Sequence, residues 1–324
     1  MGERFGDGTK GETSRRRREW DAEVELSIEE AGELIAEAFP DLDAVALEPF
    51  GEGFDNRAFR VGDHIFRFPR REFGGSAMEV EIRWLPTLAR HLPLEVPVAE
   101  RVGEANARFP WRWAGYRVIE GVTADRAAMS EEERARWAVP LAEFLRSLHA
   151  VPVPDDAPGD ELGRAEHRRR APRVIERFGE LEDPGLRARA IAAVEESAQA
   201  PEWDGQRVWV HGDLYGRHLI AGRPASAGGG GGAGAGELVG VIDWGDLHAG
   251  DRAIDLSIAW SWLPAAARGE FRAAYGEISG AEWERARFRA LHYAACLPPY
   301  GRAVDDRPIQ ALGRLALTNS LSPP

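Results

Sequence analysis

The sequence predicts an α+β fold of two lobes, and three observations predict it. Short β-like runs fill the first third of the 324 residues, helical periodicities fill most of the rest, and two carboxylates, Asp213 and Asp243, end strand-like segments in the second half. Hydrophobic residues are 44% and charged residues 29%, ordinary for a soluble globular protein, and the length suits about two domains.

Residues 1–22 are rich in Gly, Ser and charge, with Arg15 to Arg18 in a row, and read as a disordered arm. Ser27 and Glu30 form a capping box ahead of a helical face of Ile28, Ala31, Leu34, Ile35 and Ala38. Val45–Phe50, Arg57–Val61 and His64–Phe68 read as strands, the last two joined by a Gly62-Asp63 turn. A helix is expected over Ser76–Ala89, less firmly after Pro86, followed by strands at Val96–Val102 and Trp113–Ile119. From Gly121 the pattern turns helical. Ser130 and Glu133 make a second capping box, and Trp137, Leu141, Leu145 and Leu148 form a buried stripe. Helical patterns recur near 185–199, 251–263, 267–277 and 281–296, with β-like segments at Arg207–Val210 and Leu238–Ile242. The expected division is therefore a tail (1–22), a β-rich first lobe (23–120) and a helical second lobe (121–324). The Gly/Ala run 228–236 reads as a surface loop, because its glycines lack the fixed spacing of a phosphate-cradling loop.

The sole cysteine, Cys296, excludes an internal disulfide and a multi-cysteine metal site. No apolar stretch approaches the ~18 residues of a membrane helix, and no apolar run follows the start, so a cytoplasmic chain without membrane partners is expected. A net charge of −13 argues against nucleic acid as a partner. The only lysine is Lys10, so chemistry that lysine usually performs falls to arginine. Oligomeric state has no signature in the chain.

The informative segment is His211-Gly212-Asp213-Leu214-Tyr215-Gly216-Arg217-His218, followed after the glycine run by Val241-Ile242-Asp243-Trp244-Gly245-Asp246. One strand-end carboxylate suits the orientation and deprotonation of a hydroxyl. A second suits a metal that bridges nucleotide phosphates, and His218 could complete its shell. Either Asp alone reads as a turn residue; the ordered pair with matching flanks does not. A two-His-one-carboxylate iron site is disfavoured, since His211 and His218 share one loop and the helical half offers no barrel.

These two segments, with Gly250-Asp251-Arg252-Ala253-Ile254-Asp255-Leu256 after them, resemble the aminoglycoside phosphotransferase family, over about residues 25 to 300. The resemblance implies a protein-kinase-like fold, ATP or GTP as phosphate donor with Mg2+, and a small-molecule hydroxyl as acceptor. It implies Asp213 as the catalytic base and His218 and Asp243 as metal ligands. Gly51, Gly53 and Asn56 fall in the nucleotide-covering loop. Arg67 stands where the family has a phosphate-binding lysine, with Glu81 as its partner rather than Glu79. Tyr116–Gly121, through Val118 and Glu120, would be the connector whose backbone meets the purine. A histidine at 218 resembles macrolide phosphotransferases and 2″-aminoglycoside phosphotransferases, which tilts the acceptor toward an aminoglycoside or macrolide antibiotic.

Other residues read as structural. His211 braces its loop, Asp251 caps a helix, Asp255 holds loop backbone, and Trp260 and Trp262 belong to a core. Arg164 and His167–Arg170 read as a solvated basic face. Two further functions remain open: a kinase of a metabolite such as an amino alcohol or sugar, and a degenerate kinase that only binds nucleotide or a partner, favoured by arginine in place of lysine.

Overall fold

The computed structural model describes residues 22–42, 47–53, 55–203, 205–222 and 236–323. The expected arm, save Ala22, and the glycine run, save Gly236, lie outside the described residues. Helix α1 (Ile28–Ala38) begins at its capping box: Ser27 Oγ accepts from the Glu30 N–H at 3.1 Å, and Glu30 accepts from the Ser27 N–H at 2.8 Å. Ala31, Leu34 and Ile35 share a core with Phe59, Phe66, Phe68 and Trp113 of the first sheet. That sheet is antiparallel throughout. Its strands β1 (Leu47–Glu52), β2 (Asn56–Val61), β3 (His64–Pro69), β4 (Ala99–Gly103) and β5 (Trp113–Arg117) lie in the order β1-β2-β3-β5-β4. β4 starts later than expected because Pro97 has no N–H for a ladder. β5 stops early because the Val118 N–H turns to the Asp63 carbonyl, at 2.8 Å.

Helix α2 (Glu72–Leu88) starts a turn before Ser76 and runs through Pro86. The buried Leu85 and Leu88 flank the proline and hold the helix in place. The result is a sheet lobe whose inner face carries Arg67 on β3 opposite Glu81 on α2.

The other lobe is mainly helical, with two small sheets at its edge. β6 (Val122–Thr123), β8 (Leu219–Ala221) and β9 (Leu238–Val241) form one in the order β6-β8-β9; β7 (Val208–Val210) pairs antiparallel with β10 (His248–Gly250). The second capping box opens only α3 (Glu131–Ala135); the Trp137–Leu148 stripe lies on and just before α4 (Ala138–His149), fully buried. α5 (His167–Gly179) and α6 (Pro184–Ser197) follow. The 251–263 pattern divides into α7 (Ala253–Leu256) and α8 (Ile258–Ser261), then α9 (Arg268–Tyr275). α10 (Gly280–Ala303) outruns its expected end at 296, passing through Pro298 and Pro299. α11 (Arg307–Ser320) was not expected, although Asp306 accepts from the Ile309 N–H at 2.9 Å and Pro308 sits in its first turn. Trp260 and Trp262 are core residues. No helix among the described residues is long and apolar enough to cross a membrane.

Candidate active site

Two loops meet where the lobes face each other. The first follows β7. The His211 ring bridges it to the second loop: Nε2 donates to the Ile242 carbonyl at 2.9 Å, while Nδ1 accepts from the Asp213 N–H at 3.3 Å. One neutral tautomer satisfies both bonds. Burial first, and His218 next, push the His211 pKa down, which keeps that tautomer in place. Asp255, fully buried on α7, accepts from the His211 N–H at 2.7 Å and the Gly212 N–H at 3.0 Å, with His149 Nε2 at 3.4 Å. Burial opposes its charge, but His149 and the loop's own donors hold its pKa below the usual carboxylate range. Gly212 is required here. Its φ is +86°, and a Cβ would lie 2.3 Å from the Asp246 carbonyl, so only glycine lets the two loops touch.

Asp213 stands at the tip of this loop, about a quarter exposed. Its Oδ1 accepts from Arg289 Nη2 at 3.2 Å and from the Tyr293 hydroxyl at 3.1 Å, both on α10. Oδ2 takes no hydrogen bond from any described residue. The second loop begins with Asp243, a non-glycine residue at φ +66°, a left-handed conformation that costs on the order of 1–3 kcal/mol and concentrates at functional sites. Ile242 N–H bonds to the His218 carbonyl at 2.9 Å just before it, and the Trp244 indole N–H to the Val241 carbonyl at 3.0 Å just after. The surroundings therefore impose the turn.

Arg67 reaches this carboxylate from the other lobe. Its Nη2 donates to Asp243 Oδ1 at 3.1 Å, while Nη1 donates to both Glu81 oxygens at 3.1 and 3.3 Å. Burial works against the guanidinium's charge, but Glu81 and Asp243 outweigh it and hold its pKa above the ordinary arginine value. Glu81 is only 2% exposed, and burial raises its pKa against the pull of Arg67. Glu79 pairs elsewhere, with Arg112 at 3.2 Å. The structure thus brings Asp213, His218, Asp243, Arg67 and Glu81 together around one cleft.

Residues 46–289 match the family model described as the phosphotransferase enzyme family. The chain belongs to that family. Solved structures agree on the fold. The GDP and kanamycin complex of an APH(2") enzyme superposes with a TM-score of 0.64 at 22% identity, covering 90% of this chain and 97% of that one. A macrolide 2'-phosphotransferase from Brachybacterium faecium, as apoenzyme, gives 0.54 at 24%, covering 92% and 98%. A streptomycin–ATP–APH(2") ternary complex gives 0.54 at 18%, covering 91% and 97%. Among curated proteins, no sequence matches the chain.

In this family member the donor set suits a divalent cation. His218 Nδ1 donates to the Asp213 carbonyl at 2.7 Å, and with the ring neutral its Nε2 lone pair faces Asp243 Oδ2 at 3.4 Å. Two acceptors facing each other fit a cation between them. Among the described residues no cluster of three or more His, Cys, Asp or Glu could hold a metal ion, so phosphate oxygens and water would complete the shell.

The expected nucleotide-covering loop joins β1 to β2. The Gly53 N–H bonds to the Asn56 carbonyl at 2.9 Å, and Arg70 ties the loop to β3 through the Gly53 carbonyl at 3.0 Å and Glu52 at 2.8 Å. Gly51, one residue before the end of β1, borders a bulge, with nothing near its absent Cβ. Asn56 Oδ1 is buried without a protein partner. Arg70, and Arg71 with its contact to Asp55, were not singled out from sequence. The connector expectation needs one correction: the Val118 N–H is spent on Asp63, so only its carbonyl, with the Ile119 N–H and carbonyl, takes no partner among the described residues. Glu120 is followed by Gly121 at φ +156°, whose Cβ would lie 2.4 Å from the Ala221 carbonyl.

The basic face is corrected in part: Arg168 and Arg169 are exposed as expected, but His167 is buried. Arg164 turns inward and meets Asp246 at 2.6 Å, and Arg170 bonds the Gly163 carbonyl at 2.8 Å. Burial drives the Asp246 carboxyl up to about 6; Arg164 opposes this, and Asp213 and Asp243 add to it. Sequence reading took Arg164 for a surface cation and missed Arg289 and Tyr293. Only the i, i+4 spacing of the last two on a helical pattern hinted that they act together.

Proposed function

We propose that the chain transfers the γ-phosphoryl group of ATP or GTP to a hydroxyl of a small molecule. The carrying observation is the convergence of Arg67 on β3 with Asp213, His218 and Asp243 on two strand-end loops. The acceptor oxygen attacks the γ-phosphorus, and the bond from that phosphorus to the bridging oxygen breaks. The nucleoside diphosphate leaves, and the hydroxyl proton passes to Asp213 Oδ2. Arg289 and Tyr293, by holding Oδ1, aim the carboxylate. Arg67 supplies positive charge toward the phosphates, with Glu81 fixing its orientation. A Mg2+ ion held by His218 Nε2 and Asp243 Oδ2 would neutralise charge on the transferring phosphate oxygens. Gly51, Gly53 and Asn56 would cover the phosphates, and the Val118 carbonyl and the backbone at Ile119 and Glu120 would lie along the base. The names of the structural neighbours, with GDP, ATP, kanamycin, streptomycin and a macrolide activity among them, support a nucleotide donor and a hydroxyl-rich acceptor.

The test is Asp213→Asn. With Mg2+ and either nucleotide, kcat should fall by roughly 10²–10⁴-fold, the usual worth of a general base, while nucleotide affinity stays within about twofold. Undiminished turnover in that variant would refute the assignment.

A further inference from the structure

We infer that the acceptor of this phosphotransferase carries an anionic group, a carboxylate or a phosphate monoester, recognised by arginines beside Asp213. The inference rests on the reading of Asp213 as the group that meets the acceptor hydroxyl.

The wall next to Asp213 is built from α5, α10 and the turn before α5. Arg289 touches Asp213 and lies over the Tyr293 ring with 4.4 Å between guanidinium carbon and ring centre. Arg164 touches Asp246. Arg170 bonds only carbonyl oxygens, of Gly163 and Leu162, and Arg177 bonds the Cys296 sulfur at 2.6 Å. Among the described residues, neither of these two arginines touches a carboxylate. All four are close enough to act on His292, whose pKa is driven well down by burial and then by Arg289, Arg170, Arg177 and Arg164. Burial first, then Arg289 and Arg164, likewise lower the Arg170 pKa. The carboxylates near this cluster are Asp251, held by Arg285 at 2.7 Å, then Asp160, Asp213 and Asp246. The last two are already engaged at the transfer site.

A second observation points the same way. Arg164 Nε, Arg289 Nε and His292 Nδ1 are buried nitrogens with no hydrogen-bond partner among the described residues, and one acceptor in the cluster, Asp160 Oδ1, is likewise unpartnered. Arg289 as a residue is only 6% exposed. A buried donor without an acceptor is costly, and the two arginine Nε–H groups in a cationic cluster favour an anion's oxygens beside them. The small cavity lined by Arg164, Asp251, Arg285 and Arg289 is about 10 Å³, room for about one water and too small for the acceptor's anionic group. A polycation such as an aminoglycoside would bring ammonium groups against these guanidiniums, and like charges at short range suppress binding.

The test uses the full chain with Mg2+ and ATP or GTP. The acceptors are D-glycerate, glycerol 3-phosphate, glycerol and kanamycin. Transfer to glycerate or to glycerol 3-phosphate should exceed transfer to glycerol by at least about tenfold in kcat/KM, and the better of the two names the anion. Arg170→Gln should raise KM for that anion about tenfold with kcat and nucleotide KM nearly unchanged, and Arg170→Lys should restore most of the loss. Loss in both variants would mean that Arg170 only holds the Gly163 turn, and would overturn its role in recognition. Preference for glycerol or kanamycin would overturn the inference while leaving the phosphotransferase reading intact. Should none of the four accept phosphate, anion binding decides. With the nucleotide site filled by a non-hydrolysable ATP or GTP analogue, sulfate should raise the melting temperature saturably in wild type and not in Arg170→Gln. No saturable effect in wild type would overturn the inference. Failure of every acceptor together with no effect of Asp213→Asn on slow nucleotide hydrolysis would instead overturn the assigned function.

Discussion

Replacing Arg67 with alanine should leave a buried carboxylate stranded. Glu81 is 2% exposed, and Arg67 is the cation that touches both of its oxygens, at 3.1 and 3.3 Å. The nearby Tyr116 hydroxyl donates to the Met78 sulfur at 3.2 Å and carries no charge. Removing one partner of a buried pair costs about 3–5 kcal/mol, because the remaining charge keeps its desolvation penalty. At about 2 °C per kcal/mol for a chain of this size, the melting temperature should drop by about 6–10 °C at pH 8. The loss should depend on pH. Burial already raises the folded-state pKa of Glu81, and losing Arg67 raises it further. A group with a raised folded pKa contributes stability that is complete below its unfolded pKa and fades as pH climbs through the folded one. Arg67→Ala should therefore lie closest to wild type near pH 4–5 and fall away toward pH 8. Adding Glu81→Gln should recover most of the loss at pH 8, since a neutral amide suffers less from burial. Thermal melts of the three proteins at both pH values make the comparison. A single variant melting within about 2 °C of wild type at pH 8, or a double variant worse than the single, would refute the argument.

Gly212→Ala should shift one loop against the other, since its Cβ would sit 2.3 Å from the Asp246 carbonyl at φ +86°. Displacing a reacting group by about 1 Å costs about 10²-fold, so kcat should fall by that order in steady-state assays. His218→Asn should keep turnover with Mg2+ and lose any advantage of Mn2+ over it, because an amide oxygen is a harder ligand than imidazole; an unchanged metal preference would remove His218 from the metal shell. Glu282 is held by Arg252 at 2.5 and 3.0 Å and by Ser279 in a capping box. Burial opposes its charge, but the Arg252 and Ser279 donors pull its pKa down to about 2. Glu282→Gln should cost about 1–2 kcal/mol near pH 7. The sign is that of a depressed carboxylate: the difference from wild type stays full above about pH 4.3 and closes as pH falls toward about 2, which melts at pH 7 and pH 3 will show.

The parts of the molecule legible in the sequence are those whose partners lie within one helical turn or one hairpin. The Ser27/Glu30 and Ser130/Glu133 boxes, the β2–β3 hairpin and the buried α4 stripe are of this kind. The ordering of Asp213, His218 and Asp243 was legible because two short loops carry them. What the sequence concealed depends on distant chain. Arg289 reaches Asp213 across 76 residues and Arg164 reaches Asp246 across 82, and both arginines look like ordinary helix-surface cations until α5 and α10 pack. The Val118 N–H could not be known to be spent, since its acceptor belongs to the Gly62-Asp63 turn of the preceding hairpin. α11 could have been read from Asp306, Pro308 and the run Ile309, Leu312, Ala316, Leu317.

Asp255 gathers the His211 and Gly212 amides and the His149 ring onto one carboxylate, from chain positions 44, 43 and 106 residues earlier. The order of synthesis gives this a consequence. While the chain grows from its N-terminus, the His211–Asp213 loop exists for more than forty residues before its anchor is made, and longer still before Arg289 and Tyr293 arrive to orient Asp213. The first lobe can pair its strands early, since β1 to β5 are complete by residue 117. The transfer site belongs to the slow, long-range part of folding, where loop closure precedes any reward from contacts. A nascent chain or a C-terminal truncation ending before α10 therefore carries the whole sheet lobe and an unassembled site, and such fragments would be the ones that engage chaperones or expose the faces of α7 and α8 that α10 covers.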